Sequence, residues 1–210
     1  CQNRHLQTFS ETLDAVLALD VPHISCYNLT VQEDTPLWRE SDQYRFPCDR
    51  EEEQMYEMLC QRLAKHGYDH YEISNFARPG YYCRHNVKYW SSQPYLGIGP
   101  AAHSFLKNRR YSHPADLVKY VAGEMSDITE EILTDRDLAR ERLITGLRMS
   151  SGVDYEELKN FFDINNMEIL IQELHEHELM MRRTDGFSLS EKGFRISNAI
   201  INRLLELEKR

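Results

Sequence analysis

Three short segments between residues 71 and 103 hold most of the side chains that could bind a ligand or carry out chemistry. The densest, residues 83–90, places an imidazole, an amide, a phenol and an indole within six positions, at His85, Asn86, Tyr89 and Trp90. His85 and Tyr89 are four positions apart, so one helical turn would put both on the same face. Such a set suits a flat, polarizable ligand with a metal centre, because histidine, cysteine and tyrosine can ligate haem iron and aromatic faces pack on the macrocycle.

The other two segments lie on either side of this one. In residues 71–80 a predicted strand brings Glu72 and Asn75 to the end of a sheet, where α/β proteins gather their active groups. In residues 97–103, Gly97 and Gly99 would let the backbone approach a ligand closely. Taken singly, each of these residues is also explained by structure alone, since a histidine among aromatic rings is commonly a hydrogen-bonded packing residue. On spacing alone, a structural role is favoured over a functional one for each residue taken singly.

The elements that position these segments begin with an alternation of helices and strands. Predicted helices and strands alternate at residues 10–19, 23–29, 50–65 and 69–73. This order predicts an α/β fold with a parallel sheet covered by helices. Residues 74–93 lose both the helical and the strand period, which predicts a long aromatic loop. Residues 95–99 are then predicted to form a short buried strand.

The composition changes after about Asp127, where a mainly helical region begins. Thr134 and Asp137 form a capping-box pair that starts a helix. Two short helices, a hairpin signal and a last helix follow, an order typical of a winged-helix-like module. We therefore predict an α/β domain over residues 1–127, followed by a mainly helical, winged-helix-like domain over residues 128–210.

Composition narrows the class of protein. The chain has 25 Lys and Arg against 34 Asp and Glu, a net charge of −9, which argues against a nucleic-acid-binding surface. No apolar run is long enough to cross a bilayer and no signal peptide is recognisable, so we expect a cytoplasmic protein. The five cysteines, at positions 1, 26, 48, 60 and 83, lack the spacing of a metal or cluster site and are predicted to be reduced thiols. Because the chain begins with Cys1, we expect a fragment or a processed product.

Several motifs together resemble the coproporphyrinogen-dehydrogenase/HemW family of radical-SAM proteins, and most strongly its HemW branch. The motifs are Tyr-Glu-Ile-Ser-Asn-Phe-Ala-Arg-Pro-Gly at 71–80, His-Asn-x-x-Tyr-Trp at 85–90 and Gly-Ile-Gly-Pro-Ala-Ala-His at 97–103. The resemblance covers nearly the whole chain from about Gln7. It implies the C-terminal portion of a partial radical-SAM (β/α) barrel, followed by a HemN-type helical C-terminal domain.

The resemblance also implies the cofactors of a complete family member. Its barrel holds a [4Fe–4S] cluster and S-adenosylmethionine, and the cluster is bound by cysteines spaced Cys-x-x-x-Cys-x-x-Cys. These 210 residues contain no such motif, so we expect the cluster-binding half of the barrel to be absent and the chain alone to be non-catalytic.

Two functions compete within the family. Coproporphyrinogen dehydrogenases, the oxygen-independent coproporphyrinogen III oxidases of porphyrin biosynthesis, oxidatively decarboxylate two propionates. HemW-type members instead bind haem and pass it to acceptor proteins. The motif at 85–90 resembles the HemW signature associated with haem, so haem binding and transfer is the preferred hypothesis. The oxidase is the alternative, and a protein-interaction module without a cofactor is a third.

The resemblance assigns site residues and partners. His85 is the candidate haem contact and axial iron ligand, with Asn86, Tyr89 and Trp90 shaping the site and Cys83 as an alternative ligand. Proximity to the adenosine of S-adenosylmethionine is implied for five residues: Thr30, Gly97, Gly99, Ala102 and His103. The implied partners are haem or a porphyrin and a haem-acceptor protein. Since the strand at 23–29 would have an open edge, a second copy of this chain is a further expected partner.

Overall fold

The computed structural model describes residues 4–124 and 128–209. Cys1 and the domain boundary predicted at Asp127 lie outside the described residues, and that boundary stays a prediction. The chain divides into two compact units, Cys1–Tyr82 and Cys83–Arg210. Within the described ranges, no helix is both long and apolar enough to cross a membrane.

The first unit packs two long helices against a small sheet. Its elements are α1 (Arg4–Ala18), β1 (His23–Ser25), α2 (Pro36–Arg39), a 3-10 turn (Ser41–Gln43), α3 (Asp49–Lys65), β2 (Asp69–Glu72) and β3 (Asn75–Ala77). The four-residue apolar spacing of α3 buries Leu59 and Leu63, which pack with Leu13 of α1 and Phe76 of β3. Acidic residues in the first turn of α3 complement the helix dipole.

The sheet of the first unit is antiparallel, so the prediction of a parallel sheet was wrong. Its strand order is β1-β3-β2, and β3 pairs antiparallel with both neighbours. A tight turn between Glu72 and Asn75 folds β3 back along β2 and inserts it beside β1. Strands β1 and β2 therefore run in the same direction but are not paired. A three-residue strand is too short to show an alternating pattern, which is why residues 75–77 resembled a loop in the sequence.

The second unit begins with a short helix and a three-stranded antiparallel sheet. Its elements are α4 (Arg84–Trp90), β4 (His103–Leu106), β5 (Arg109–Ser112), α5 (Leu117–Ala122) and β6 (Thr129–Ile132), with strand order β4-β5-β6. The predicted aromatic loop thus contains both β3 and α4. The buried strand predicted at 95–99 is also wrong, because only Tyr95 bridges to Phe105 while Leu96 and Ile98 are 64% and 83% exposed.

The rest of the second unit is a helical module with a small sheet. It comprises α6 (Asp135–Gly146), β7 (Val153–Asp154), α7 (Tyr155–Leu158), α8 (Ile164–Glu176), β8 (Met180–Arg182), β9 (Gly186–Leu189), α9 (Glu191–Arg195) and α10 (Ser197–Leu205). The capping box of Thr134 and Asp137 and the β8–β9 hairpin are both present as predicted. The single last helix predicted from Ser190 is instead two helices, because the helix breaks at Ile196. Helices, a hairpin and a strand order β7-β9-β8 agree with the winged-helix-like prediction.

Candidate functional site

Four side chains of helix α4 are exposed to solvent on one side of the helix. Its exposed residues are Arg84, His85, Lys88 and Tyr89, whereas Asn86, Val87 and Trp90 are half-buried. At about 100° per residue, the four exposed side chains occupy one continuous side of the helix. The predicted pairing of His85 and Tyr89 on one face is confirmed, with ring centroids 4.9 Å apart and rings nearly perpendicular at 74°. Of the residues expected to shape the site, Asn86 and Trp90 lie on the packed side of α4.

The imidazole of His85 is the outer end of a row of four rings, which we call the aromatic row: His85, Tyr89, Tyr95 and Phe105. Tyr89 and Tyr95 have centroids 4.5 Å apart, and Tyr95 and Phe105 have centroids 6.2 Å apart. Backbone hydrogen bonds in both directions, 2.8 and 2.9 Å long, hold Tyr95 against Phe105. Tyr89 is 39% exposed and Phe105 only 6%, so the row runs from solvent into the packed interior of the unit.

The inner end of the aromatic row is held by an arginine. The guanidinium of Arg110 lies 5.9 Å from the centroid of the Phe105 ring. The same group donates two hydrogen bonds, 2.8 and 2.7 Å long, to the carboxylate of Glu141 on α6. Both bonds come from Nη2, and Nη1 donates to Glu131 at 3.3 Å, so two carboxylates hold the guanidinium beside the ring. Neither Tyr95 nor Arg110 was singled out in the sequence, because their contacts come from other elements of the fold.

An open cleft of about 380 Å³ lies beside Phe105. Its lining combines the residues after α4 with β4, α6 and α7, and includes Ser91, Ser92, Phe105, Leu138, Ala139 and Phe161. Arg142 and Glu157, which form an ion pair 2.7 Å long, also line the cleft. The lining therefore combines apolar and charged side chains, and it includes Phe105 at the buried end of the aromatic row.

The glycines of residues 97–103 serve contacts within the protein. A side chain at Gly97 would collide with the carbonyl of His103, so this position requires the close approach of two backbones. Its N–H donates to Ser104 Oγ at 2.9 Å. Gly99 has a φ of +118° and donates its N–H to the hydroxyl of Tyr120 at 3.0 Å.

These internal contacts account for the two glycines without a ligand. Ala102 is also held internally, since its carbonyl accepts from the N–H of His113 at 3.0 Å, while His103 is exposed. Thr30 is exposed in the first unit. The contact of adenosine with Thr30, Ala102 and His103, and with the two glycines, stays a prediction.

Cysteine ligation of a metal is restricted by where the thiols lie. Cys83 is half-buried at the N-terminal cap of α4, two positions before His85, and stays the alternative ligand. Cys26, Cys48, Cys60 and Cys83 form no disulfide. In the part of the chain that the structure describes, no three His, Cys, Asp or Glu residues lie together as a metal site.

Glu72 and Asn75 lie at the end of the first unit's sheet, as predicted, but inside the fold. Both are only 1% exposed. The Asn75 amide donates to the Glu72 carboxylate and accepts from the hydroxyl of Ser25, its partner in the β1–β3 register. The Ser74 N–H donates to Glu72 Oε1 at 3.0 Å. This network joins all three strands, which indicates a structural role for the buried carboxylate.

A second polar and aromatic cluster, not recognised in the sequence, lies on the same sheet. The rings of Tyr71 and Tyr82 stack with centroids 4.4 Å apart and planes 8° apart. The buried Tyr71 hydroxyl is 2.9 Å from His23 Nε2, and the Tyr82 hydroxyl donates to Asp69 at 2.8 Å. Burial, reinforced by Asp69, raises the pKa of Tyr82 above its ordinary value.

The sequence of this chain is similar to those of known proteins. The sequence model of the HemN C-terminal domain matches residues 133–196. The heme chaperone HemW of Lactococcus lactis subsp. lactis (strain IL1403) is 30% identical over 207 residues, which cover 95% of this chain and 55% of that protein. The heme chaperone HemW of Bacillus subtilis (strain 168) is 31% identical over 156 residues, covering 70% of this chain and 41% of the relative.

A solved structure shows the same fold. It is the coproporphyrinogen III oxidase HemN from Escherichia coli, described as a radical SAM enzyme. The two structures align with a TM-score of 0.69 over 93% of this chain and 50% of the other, at 16% sequence identity. The chain spans about half the length of the curated relatives it matches.

These comparisons and the fold define a mixed α/β protein that carries a HemN C-terminal domain. Within that class, the chain is a HemW/HemN-like protein that corresponds to the C-terminal part of those relatives. The predicted family and the predicted α/β fold class are therefore confirmed.

Proposed function

We propose that this chain binds haem at the exposed face of α4, with His85 as the axial ligand of the iron. One observation carries the proposal: an exposed imidazole stands at the outer end of the aromatic row, 4.9 Å from the ring of Tyr89. Histidine nitrogen is a common ligand of haem iron, and aromatic rings pack favourably on a flat macrocycle. The names of the relatives, heme chaperone HemW, support the same ligand.

In this proposal the side chains of α4 have different roles. The His85 imidazole is accessible from solvent, so iron can reach a ring nitrogen without opening the fold. Tyr89 is partly exposed and offers an edge or face to the macrocycle, while its contact with Tyr95 fixes the ring orientation. Binding at an exposed helix face leaves much of the macrocycle accessible. That accessibility suits transfer of haem to an acceptor protein, which we include in the proposal.

Coproporphyrinogen III oxidase activity remains the second hypothesis. A solved relative carries that name, but at 16% identity the likeness concerns the fold alone. The fit to an iron–sulfur cluster can be tested on the thiols: Cys26, Cys48, Cys60 and Cys83 lie in separate elements or loops. No ligand group of three residues forms among the described residues. The described residues therefore do not fit an iron–sulfur cluster.

Titration of ferric haem into the purified chain, followed by the Soret band, tests the proposal. We expect saturable binding by the wild type and at least a tenfold weaker affinity or an altered spectrum for His85→Ala. His177→Ala is a matched control, because His177 is another exposed imidazole of the second unit and lies at the end of α8. Equal binding by all three proteins would exclude His85 as the ligand. No saturable binding by the wild type would refute the haem proposal.

A further inference from the structure

Two neighbouring cations on α4 lack the carboxylate partners that many of the described arginines have. The sequence has 34 acidic residues against 25 Lys and Arg, and many of the described arginines are paired, as Arg62 is with Asp14 and Arg142 with Glu157. Arg84 and Lys88 are exposed and form no ion pair or side-chain hydrogen bond with any residue that the structure describes. An acidic protein thus leaves two neighbouring positive charges uncompensated on one short helix.

Their arrangement costs stability. Arg84 and Lys88 are four positions apart, so they are neighbours on the surface of α4, where like charges repel. A carboxylate at either position, or one brought near by another element, would remove the repulsion. Because the two charges of Arg84 and Lys88 destabilise the helix, we infer that they serve to bind an anion from outside the chain.

The cations lie beside the proposed iron ligand. In the helical projection the order around the exposed side is Arg84, Lys88, His85 and Tyr89, with steps of about 40° to 60°. His85 thus has the two cations on one side and the phenol ring of Tyr89 on the other. A ligand that contacts all four needs a metal, a flat apolar body and anionic groups at its periphery.

We propose that Arg84 and Lys88 bind the propionate carboxylates of the tetrapyrrole, so that this face selects porphyrins with free carboxylates. The inference rests on the proposed function and specifies its substrate class. Arginine can hold a carboxylate through two parallel hydrogen bonds, and lysine acts as a mobile point charge. Both charges are exposed, so each contact strengthens binding by a factor of a few.

The test compares ferric haem with its dimethyl ester, which has the same iron and macrocycle but no carboxylate charge. Both ligands are titrated in the same detergent-containing buffer into the wild type and into Arg84→Gln/Lys88→Gln. The matched control is Arg50→Gln/Lys65→Gln, which changes the net charge equally and replaces two exposed cations of α3 that also have no described ion-pair partner. Circular dichroism checks that every variant is folded.

We expect the wild type to bind haem roughly fivefold to tenfold more tightly than the ester. The Arg84→Gln/Lys88→Gln variant should bind both ligands as weakly as the wild type binds the ester, while the control keeps the wild-type preference. Added salt should reduce the preference of the wild type, since exposed charges are screened.

The outcomes separate this inference from the proposed function. If the wild type binds haem and ester equally in a His85-dependent way, the function stands and the carboxylate inference is overturned. The inference also fails if the α4 variant keeps the preference, or if the control loses it. If the wild type binds neither ligand, both the proposed function and the inference are refuted.

Discussion

Replacing Asn75 by alanine should destabilise the sheet of the first unit, because its buried amide holds two neighbouring side chains. Asn75 donates to the carboxylate of Glu72 and accepts from the hydroxyl of Ser25. Asn75 and Glu72 are each 1% exposed, so water cannot supply the missing donor without entering the fold. The substitution therefore leaves a buried carboxylate and a hydroxyl each short of one partner.

The expected magnitude follows from these contacts. A hydrogen bond to a charged group contributes about 1.5–3 kcal/mol and a neutral one about 0.5–1.5 kcal/mol, so their joint loss costs roughly 2–4.5 kcal/mol. The Ser74 N–H still donates to Glu72 at 3.0 Å, so the carboxylate is not left without a donor. We therefore expect the lower half of that range, about 2–3 kcal/mol. This corresponds to a factor of roughly 30 to 150 in an opening equilibrium.

Amide hydrogen exchange of peptides that cover β3 measures that equilibrium directly. The protection of residues 75–77 should fall by the calculated factor in Asn75→Ala. The exposed Asn28→Ala in the same unit is the matched control and should change protection by less than about twofold. A double-mutant cycle with Glu72→Gln should show coupling, since the two side chains are in direct contact. A loss of protection under about threefold, or purely additive effects, would refute the account of the buried network.

Two further predictions concern the same unit. The pKa of Tyr82 is raised by burial and by Asp69, so the stability of the unit should fall as pH rises above about 10 and through the folded-state value. Tyr82→Phe should remove this dependence of stability on pH. Asp69→Asn should lower the pKa of Tyr82, which the absorbance of tyrosinate measures. Titration curves that the substitution leaves unchanged would contradict the assignment. Strand β1 is a sheet edge followed by Tyr27 and Leu29, which are 67% and 66% exposed, so we predict self-association that Leu29→Lys reduces in sedimentation velocity. Leu117→Lys, an equally drastic change on the second unit, should leave it intact, and a wild type that is monomeric at all concentrations would contradict the prediction.

The parts of the fold that could be predicted are those with local signals. Helix α3 has apolar residues at every fourth position from Met55 to Leu63, and Leu59 and Leu63 are buried as that spacing requires. The capping box of Thr134 and Asp137 starts α6 at the predicted residue. Both signals lie within a few residues of the structure they specify, so the sequence shows them without knowledge of the tertiary fold.

The strand order and helix α4 could not be predicted, for a physical reason. Strand β3 has three residues and α4 has seven, so neither is long enough to establish a period against its neighbours. The insertion of β3 between β1 and β2 is a non-local pairing that depends on the turn between Glu72 and Asn75. A helix as short as α4 is not stable alone and forms only where tertiary contacts hold it.

The candidate site was likewise predictable only in its local part. The spacing of His85 and Tyr89 indicated that one helical turn would put both on one face, and α4 supplies that turn. The continuation of the row depends on the Tyr95–Phe105 bridge, which joins residues ten positions apart across a loop. The sequence around Arg84 and Lys88 could not show that they have no ion-pair partner among the described residues, since such partners come from distant parts of the chain.

The contacts of α4 explain how so short a helix can present the proposed haem face. Its exposed side carries repelling charges, so its stability has to come from the packed side and from the residues that follow it. Ser92 and Thr145 have hydroxyl oxygens 3.3 Å apart, and Ser91 lies 4.0 Å from the sulfur of Met149. Thr145 and Met149 belong to the end of α6 and the turn after it, within the residues that match the HemN C-terminal domain. We infer that contacts with this domain stabilise α4 on its packed side. Its exposed side can then carry the residues of the proposed haem site, although their charges repel.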